Sequence, residues 1–128
     1  MENNIKKYLG VDWGEKRIGL ATADSETNLA LPLKTVSNLA EVLEVIVAEE
    51  IDEIIIGLPK KMSGEGVDSP AWLNFVDQLR TRCSKPVQFL DERLSSLAAD
   101  ALEGQEAEKA GRDEVAATII LQDYLDSN

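Results

Sequence analysis

The chain opens with three short apolar runs that are separated by polar turn residues. They fall within residues 7–13, 18–23 and 28–36, and the first two are joined by the tight turn Gly14–Arg17. Short apolar runs bounded by turn residues predict β-strands. Pro32 lies in the third run, and because proline cannot donate to a sheet ladder, we expect this strand at an edge of the sheet.

The rest of the chain alternates between helical and strand patterns. Apolar residues at helical spacing predict a first helix over residues 38–50. Three consecutive isoleucines in Glu53–Gly57 are typical of a strand that is covered on both faces. Ser69 can cap a second helix that has Pro70 at its first position. A fifth strand is predicted over residues 86–90.

Two further helical patterns complete the chain. One begins at Ser95 or Ser96 and runs through Leu102, and the last runs from about Arg112 to Leu125. The order β-β-β-α-β-α-β-α-α predicts an α/β fold with a five-stranded mixed sheet flanked by helices. The length of 128 residues is typical of one domain, so we expect residues 1–128 to form a single unit.

Composition narrows the chemistry that this fold can carry. The chain holds no histidine and one cysteine, which excludes a Ser-His-Asp triad, a histidine-ligated zinc site and an internal disulfide. The lone cysteine fits a reducing cytoplasm, and the apolar runs are far too short to span a membrane. Acidic residues outnumber basic ones by 24 to 13, for a net charge of −11. Acid–base and metal chemistry therefore falls mainly to carboxylates.

Asp12 is the first candidate, because it lies at the end of an apolar strand and is followed closely by Gly14. Glycines at this point let a phosphate group approach the backbone. The simpler interpretation is that Asp12 only starts the turn.

The second candidate is one of the pair Asp91 and Glu92, which directly follow the fifth strand together with Arg93. Strand ends of this kind meet at the crevice where α/β sheets bind ligands. Strand alternation sends Asp91 and Glu92 to opposite sides, so only one of them can share a site with Asp12. The pattern does not choose between them, and both could simply lie in a solvated loop that caps the next helix.

Asp113 is the third candidate, because it lies on the apolar stripe of the last helix. The positions at helical spacing from it are all apolar or aromatic: Ala116, Ala117, Ile120, Leu121 and Tyr124. The two alanines allow the helix to lie close to the sheet. The alternative is that Asp113 only complements the positive end of the helix dipole.

Three carboxylates without histidine suit Mg²⁺ or Mn²⁺, which prefer oxygen ligands. A bound ion would relieve the repulsion among the three side chains. Such a centre can activate water and stabilise the leaving oxygen of a phosphodiester.

The motifs together resemble those of the YqgF/RuvX family, the pre-16S rRNA nuclease or Holliday-junction-resolvase-like family. The matching segments occur in the family's order and span almost the whole chain: Gly10–Gly14, Lys16–Ala21, Gly57–Pro59, Asp91–Ser96, and Asp113 with Ala116–Ala117 and Ile120–Leu125. The resemblance implies an RNase H-like fold with sheet order 3-2-1-4-5. It also implies a cytoplasmic metal-dependent nuclease that matures the 5′ end of precursor 16S rRNA in ribosome biogenesis.

The resemblance also assigns roles to individual residues. It implies that Asp12, Glu92 and Asp113 are the catalytic, metal-binding carboxylates, and it thereby favours Glu92 over Asp91. Lys16, Arg17 and Arg93 are candidate contacts to substrate phosphates. Lys60 and Lys61 could serve likewise, although ordinary surface charge is the better interpretation for those two.

One segment departs from the family pattern, and it keeps other functions open. Family members carry a longer, basic segment before the third acidic residue, whereas residues 103–112 here are short and mostly acidic. Together with the net charge, this favours weak nucleic-acid binding. The alternatives are a non-catalytic module that binds nucleic acid or ribosomal or transcription proteins, and a resolvase-like nuclease of branched DNA. A phosphotransferase is disfavoured, because those enzymes close two domains over ATP.

Overall fold

A computed structural model describes residues 5–58, 70–91 and 112–127, apart from the side chains of Asp91, Arg112 and Asp113. These residues form five strands and three helices. In chain order they are β1 (Lys7–Trp13), β2 (Ile18–Asp24), β3 (Leu31–Val36), α1 (Leu39–Ala48), β4 (Glu53–Leu58), α2 (Pro70–Cys83), β5 (Val87–Asp91) and α3 (Arg112–Asp126).

The five strands form one mixed sheet in the order β3-β2-β1-β4-β5. The first three strands pair antiparallel as a meander, whereas β1 pairs parallel with β4, and β4 pairs parallel with β5. This is the order that the family resemblance implied, and β3 lies at an edge as Pro32 predicted. Because β1, β4 and β5 run in the same direction, their carboxyl ends meet at one end of the sheet.

The helices cover both faces of the sheet and divide the core in two. On one face, which we call the two-helix face, α1 and α2 pack against Leu9, Val11, Ile54 and Ile56. On the other face, which we call the α3 face, α3 packs against Ala21, Ala23, Ile55 and Leu90. The three isoleucines of β4 are thus shared between the faces, as expected for a strand covered on both sides.

Helix α3 lies very close to β1, because a glycine faces it there. A Cβ atom added to Gly10 would lie 2.8 Å from the Cβ of Leu121 and 2.9 Å from the carbonyl oxygen of Ala117. At the other end of the same strand, the rings of Tyr8 and Tyr124 meet edge to face, with centroids 6.4 Å apart. The helix therefore runs antiparallel to β1, and its first turn lies towards the carboxyl end of that strand.

Two element boundaries differ from the sequence prediction for reasons of backbone conformation. Strand β3 begins at Leu31 rather than near Asn28, because Asn28 takes a left-handed φ of 53°. Helix α1 ends at Ala48 because Glu50 takes a φ of 56°. The predicted cap Ser69 and the predicted helix over residues 95–102 lie outside the described residues. None of the helices in the described ranges is long and apolar enough to cross a membrane.

Candidate active site

Asp12 lies next to the carboxyl end of β1, on the α3 face of the sheet. It is two positions beyond Gly10, whose Cβ position faces α3, and side chains of a strand alternate between faces. The next residue, Trp13, packs on the opposite face, with its ring centroid 6.2 Å from that of Phe75. Asp12 is partly buried, which suits a ligand that must be oriented and still be reached by substrate.

The turn after Asp12 carries two of the predicted phosphate contacts. Trp13 pairs with Ile18, so Gly14–Arg17 closes the β1–β2 hairpin. A Cβ atom on Gly14 would lie 2.8 Å from the carbonyl oxygen of Arg17, so this tight turn requires glycine. Lys16 and Arg17 are both exposed beside the end of β1. The structure thus brings these two cations to the same end of the sheet as Asp12.

Strand β5 ends at the same place. Val11 pairs with Ile56, which in turn pairs with Phe89, and Leu58 pairs with Asp91. The backbone of Asp91 therefore lies two strands away from β1, about 10 Å across the sheet. Glu92 and Arg93, which the resemblance placed at the site, lie outside the described residues.

The first turn of α3 is anchored above this end of the sheet. Thr35 Oγ1 donates a hydrogen bond to Glu114 Oε2 at 3.1 Å. Thr35 pairs with Gly19 and Gly19 pairs with Asp12, so these three residues form one row across β3, β2 and β1. Residue 113 belongs to the helix turn that follows Arg112 and adjoins this anchor, although its side chain is outside the described part.

The opposite end of the sheet holds a buried acidic group that the sequence reasoning missed. The Glu53 side chain at the start of β4 is only 7% exposed and forms an ion pair with Lys6 at 3.1 Å. Tyr124 Oη donates a hydrogen bond to the other carboxylate oxygen at 2.8 Å. The hydrogen bond to Glu53 and its negative charge raise the pKa of Lys6. Only the position of Glu53 before three isoleucines hinted at its burial, and this cluster lies far from Asp12.

The one predicted ligand whose side chain is described, Asp12, fits a hard divalent cation. Asp12 supplies carboxylate oxygens on a partly buried strand end, and the chain has no histidine to favour zinc. Among the described side chains, no group of three carboxylate, cysteine or histidine residues could hold a metal ion. Glu92 and the Asp113 side chain, which were predicted to complete the set, are outside those residues.

Solved structures with the same architecture define the class of fold. A Thermus thermophilus RuvC in complex with a Holliday junction substrate superimposes with a TM-score of 0.59 at 17% identity, covering 95% of this chain and 94% of that one. The Holliday junction resolvase of fowlpox virus superimposes with a TM-score of 0.57 at 13% identity, covering 94% and 98%. The fold is therefore that of the RuvC-like, RNase H-like resolvases, as the family resemblance implied.

Sequence comparison identifies the family within this class. A family model described as "RuvX: Holliday junction resolvase" matches residues 6–127. A "Putative pre-16S rRNA nuclease" of Chloroflexus aggregans is 38% identical, covering 97% of this chain and 96% of its own length. A relative of the same name from Roseiflexus is 37% identical, covering 99% of both chains. The chain belongs to the RuvX family, whose curated relatives carry the name of a nuclease, which is a hydrolase.

Proposed function

We propose that this protein is a divalent-metal-dependent nuclease that hydrolyses phosphodiester bonds in structured RNA, with the 5′ region of precursor 16S rRNA as its substrate. The observation that carries the proposal is the convergence of Asp12, the end of β5 and the first turn of α3 at one end of the sheet. The names of the relatives support the choice of substrate.

We assign the metal-binding, catalytic roles to Asp12, Glu92 and Asp113. Leu90 packs on the α3 face, the face of Asp12, so the period-two alternation of β5 favours the even-numbered position of the 91–92 pair. Gly57 lies between Leu90 and β1 and brings no side chain into that space. Mg²⁺ or Mn²⁺ bound by these carboxylates would supply positive charge for the phosphate oxygens and acidify a water molecule.

The other residues bind and orient the substrate. Lys16 and Arg17 extend the site along the β1–β2 turn, where they contact backbone phosphates, and Arg93 serves likewise beyond β5. In the reaction, water adds across one P–O bond, and the released oxygen takes a proton. The proposed cleavage takes place in the cytoplasm, where precursor rRNA is made. The net charge of −11 further favours contacts with basic ribosomal or transcription proteins.

A nuclease assay tests the proposal. Wild-type protein should cleave a 5′ precursor 16S rRNA fragment in Mg²⁺ or Mn²⁺ and should not cleave it in EDTA. Asp12→Asn should lower the rate at least about 100-fold, because it removes a charged metal ligand. Asp77→Asn is the matched control, since Asp77 is exposed on α2 at the two-helix face, and its rate should equal that of the wild type.

The same assay separates the alternatives. A four-way DNA junction that is cleaved faster than the RNA would identify a resolvase instead. Metal-independent binding without cleavage of either substrate would identify a non-catalytic module. Equal rates for wild type and Asp12→Asn would overturn the assignment of the site.

A further inference from the structure

The side of α3 that faces β3 is polar, and it is fastened to the sheet at two points. Glu114 accepts a hydrogen bond from Thr35 Oγ1 at 3.1 Å. Gln122, two turns further along, accepts one from the Ala30 backbone N–H at 2.8 Å and donates one to the Asn28 carbonyl at 3.1 Å. Positions eight apart lie on one side of a helix, about 12 Å from each other. The edge of the sheet therefore holds α3 at both ends.

The anchor at Glu114 lies next to the candidate active site, whereas the anchor at Gln122 does not. Thr35, Gly19 and Asp12 share one row, and the middle residue brings no side chain between the other two. Glu114 is the next residue after Asp113 in the chain. A hydrogen bond from Thr35 therefore fixes the height and rotation of the same turn that carries position 113.

A second contact fixes the same helix from the other side. Ala117 meets β1 at Gly10, with no room for another atom. The same helix also packs on Ala21 and Ala23 of β2 and on Ile55 of β4, so apolar contacts hold its middle against the sheet. The bond from Thr35 to Glu114 adds a lateral polar contact at the first turn, one turn before Ala117.

We propose that Thr35 and Glu114 are positioning residues for the metal site, which act by holding the first turn of α3, the turn that carries residue 113, over the end of the sheet at Asp12. The inference rests on the proposed function, because it assumes that Asp113 is a metal ligand. Some residues do not touch the metal but hold its ligands in place through hydrogen bonds. Removing such a residue typically lowers metal affinity about 10- to 100-fold. The hydrogen bond here acts through one turn of helix, so the lower end of that range applies.

The test measures Mn²⁺ affinity by electron paramagnetic resonance and first-turn stability by amide hydrogen exchange without metal. Thr35→Val removes the donor with little change of shape, and Glu114→Leu removes the acceptor. Each should weaken Mn²⁺ binding about tenfold and speed exchange in residues 113–117. The double variant should bind Mn²⁺ about as tightly as either single variant, because the two substitutions remove the same hydrogen bond.

Two further variants isolate the hydrogen bond from other effects. Glu114→Gln keeps an acceptor oxygen but removes the charge, so it should retain most of the affinity. Thr118→Val is the matched control, because its hydroxyl donates to the backbone carbonyl of Glu114, at 2.7 Å, and takes no part in the bond between the Thr35 and Glu114 side chains. It should bind Mn²⁺ as tightly as the wild type does.

The outcomes distinguish this inference from the proposed function. If wild type binds Mn²⁺ and Asp12→Asn does not, but Thr35→Val binds within twofold of wild type, only the positioning role is overturned. A large effect of Glu114→Gln with a silent Thr35→Val would overturn it too, because charge alone would then account for the role of Glu114. If wild type itself does not bind Mn²⁺, the proposed function fails, and unchanged exchange in Thr35→Val would overturn the anchor as well.

Discussion

Individual residues at the two ends of the sheet have opposite requirements. At one end Asp12 is partly buried beside an exposed turn, and at the other end Glu53 is buried with both carboxylate oxygens engaged in hydrogen bonds. A buried carboxylate is tolerated because its partners replace the water that it loses. The Glu53 cluster therefore contributes to the stability of the fold, whereas the exposed turn beside Asp12 carries the proposed phosphate contacts.

We expect Tyr124→Phe to destabilise the protein by about 1–2 kcal/mol, because Glu53 loses a hydrogen bond that a charged acceptor makes stronger. Urea unfolding at neutral pH measures the change. Tyr8→Phe is the matched control. It removes a hydroxyl from the neighbouring ring, and the bond to Glu53 comes from the hydroxyl of Tyr124. Equal effects of the two variants would contradict this account.

We expect Arg17→Ala to weaken RNA binding and to reduce its dependence on salt, because a phosphate contact releases counterions on binding. Removing one contact should lower the slope of log affinity against log salt by about 1. Fluorescence anisotropy with catalytically silent Asp12→Asn protein gives both quantities. The exposed Arg80 on α2 is the control position. A slope unchanged from the parent would place Arg17 outside the interface.

The pKa of Asp123 links one residue of α3 to the pH dependence of stability. Burial raises the pKa of this carboxyl above its usual value of 3.8, and the negative charge of Asp126 raises it further. The charged form is thus disfavoured in the folded state, and stability falls as the pH rises through the raised pKa. Asp123→Asn should be more stable than wild type at pH 7 by about 0.5 kcal/mol or less, since the carboxyl is only partly buried and solvent screens its charge. The difference should vanish below pH 3.8, as measured by urea unfolding.

Among the helices and strands, the burial of each element was predictable from the periodicity of its apolar residues. Element ends that depend on the backbone angles of a single residue were not. The isoleucines of β4 and the apolar stripe of α3 were sufficient to predict their burial. The end of α1 was not predictable, because a non-glycine residue, Glu50, takes the left-handed position. There it makes the hydrogen bonds that usually end a helix at glycine, from Glu50 N–H to Val47 and from Ile51 N–H to Ile46.

The candidate site was predicted in part for the same reason. Strand ends and helix periodicity located Asp12 and the helix of Asp113. Alternation alone left Asp91 and Glu92 open, because which face of β5 meets α3 depends on tertiary packing. The partnership of Thr35 and Glu114 joins residues that are 79 positions apart, so nothing local in the sequence indicates it.

The contact between α3 and β1 makes a prediction at this scale. Gly10→Ala should destabilise the protein by about 2–3 kcal/mol, because the new methyl group meets the Cβ of Leu121 and a backbone carbonyl, neither of which can move aside. In an open strand the same change would stabilise slightly, since it restricts the unfolded chain. Urea unfolding distinguishes the two signs, and an unchanged or higher stability would show that α3 can move away without cost.

The charge of the whole molecule determines how it responds to cations. With a net charge of −11, it repels both itself and nucleic acid at low ionic strength. A divalent ion at Asp12 would reduce that repulsion at the proposed active site. Binding should therefore depend on the metal as well as on the monovalent salt.

We expect Mn²⁺ to raise the melting temperature by about 5 °C at ten times its dissociation constant. Binding to the folded state alone contributes about 1.4 kcal/mol at that concentration, and a domain of this size gains about 3–5 °C per kcal/mol. Differential scanning fluorimetry at constant ionic strength measures the shift. Asp12→Asn should abolish it, and Asp77→Asn should preserve it. An equal rise in Asp12→Asn would place the ion elsewhere.

The order of the elements along the chain has a consequence for the newly made protein. All five strands precede α3, so during translation the face with Ala21, Ile55 and Leu90 is made before the helix that covers it. Residue 113 is added 101 positions after Asp12, which at about 5–20 residues per second is roughly 5–20 seconds. Until then the nascent chain carries Asp12 without the helix that covers this face of the sheet. Under the proposed function, the nascent nuclease would therefore lack a complete metal site until late in its synthesis.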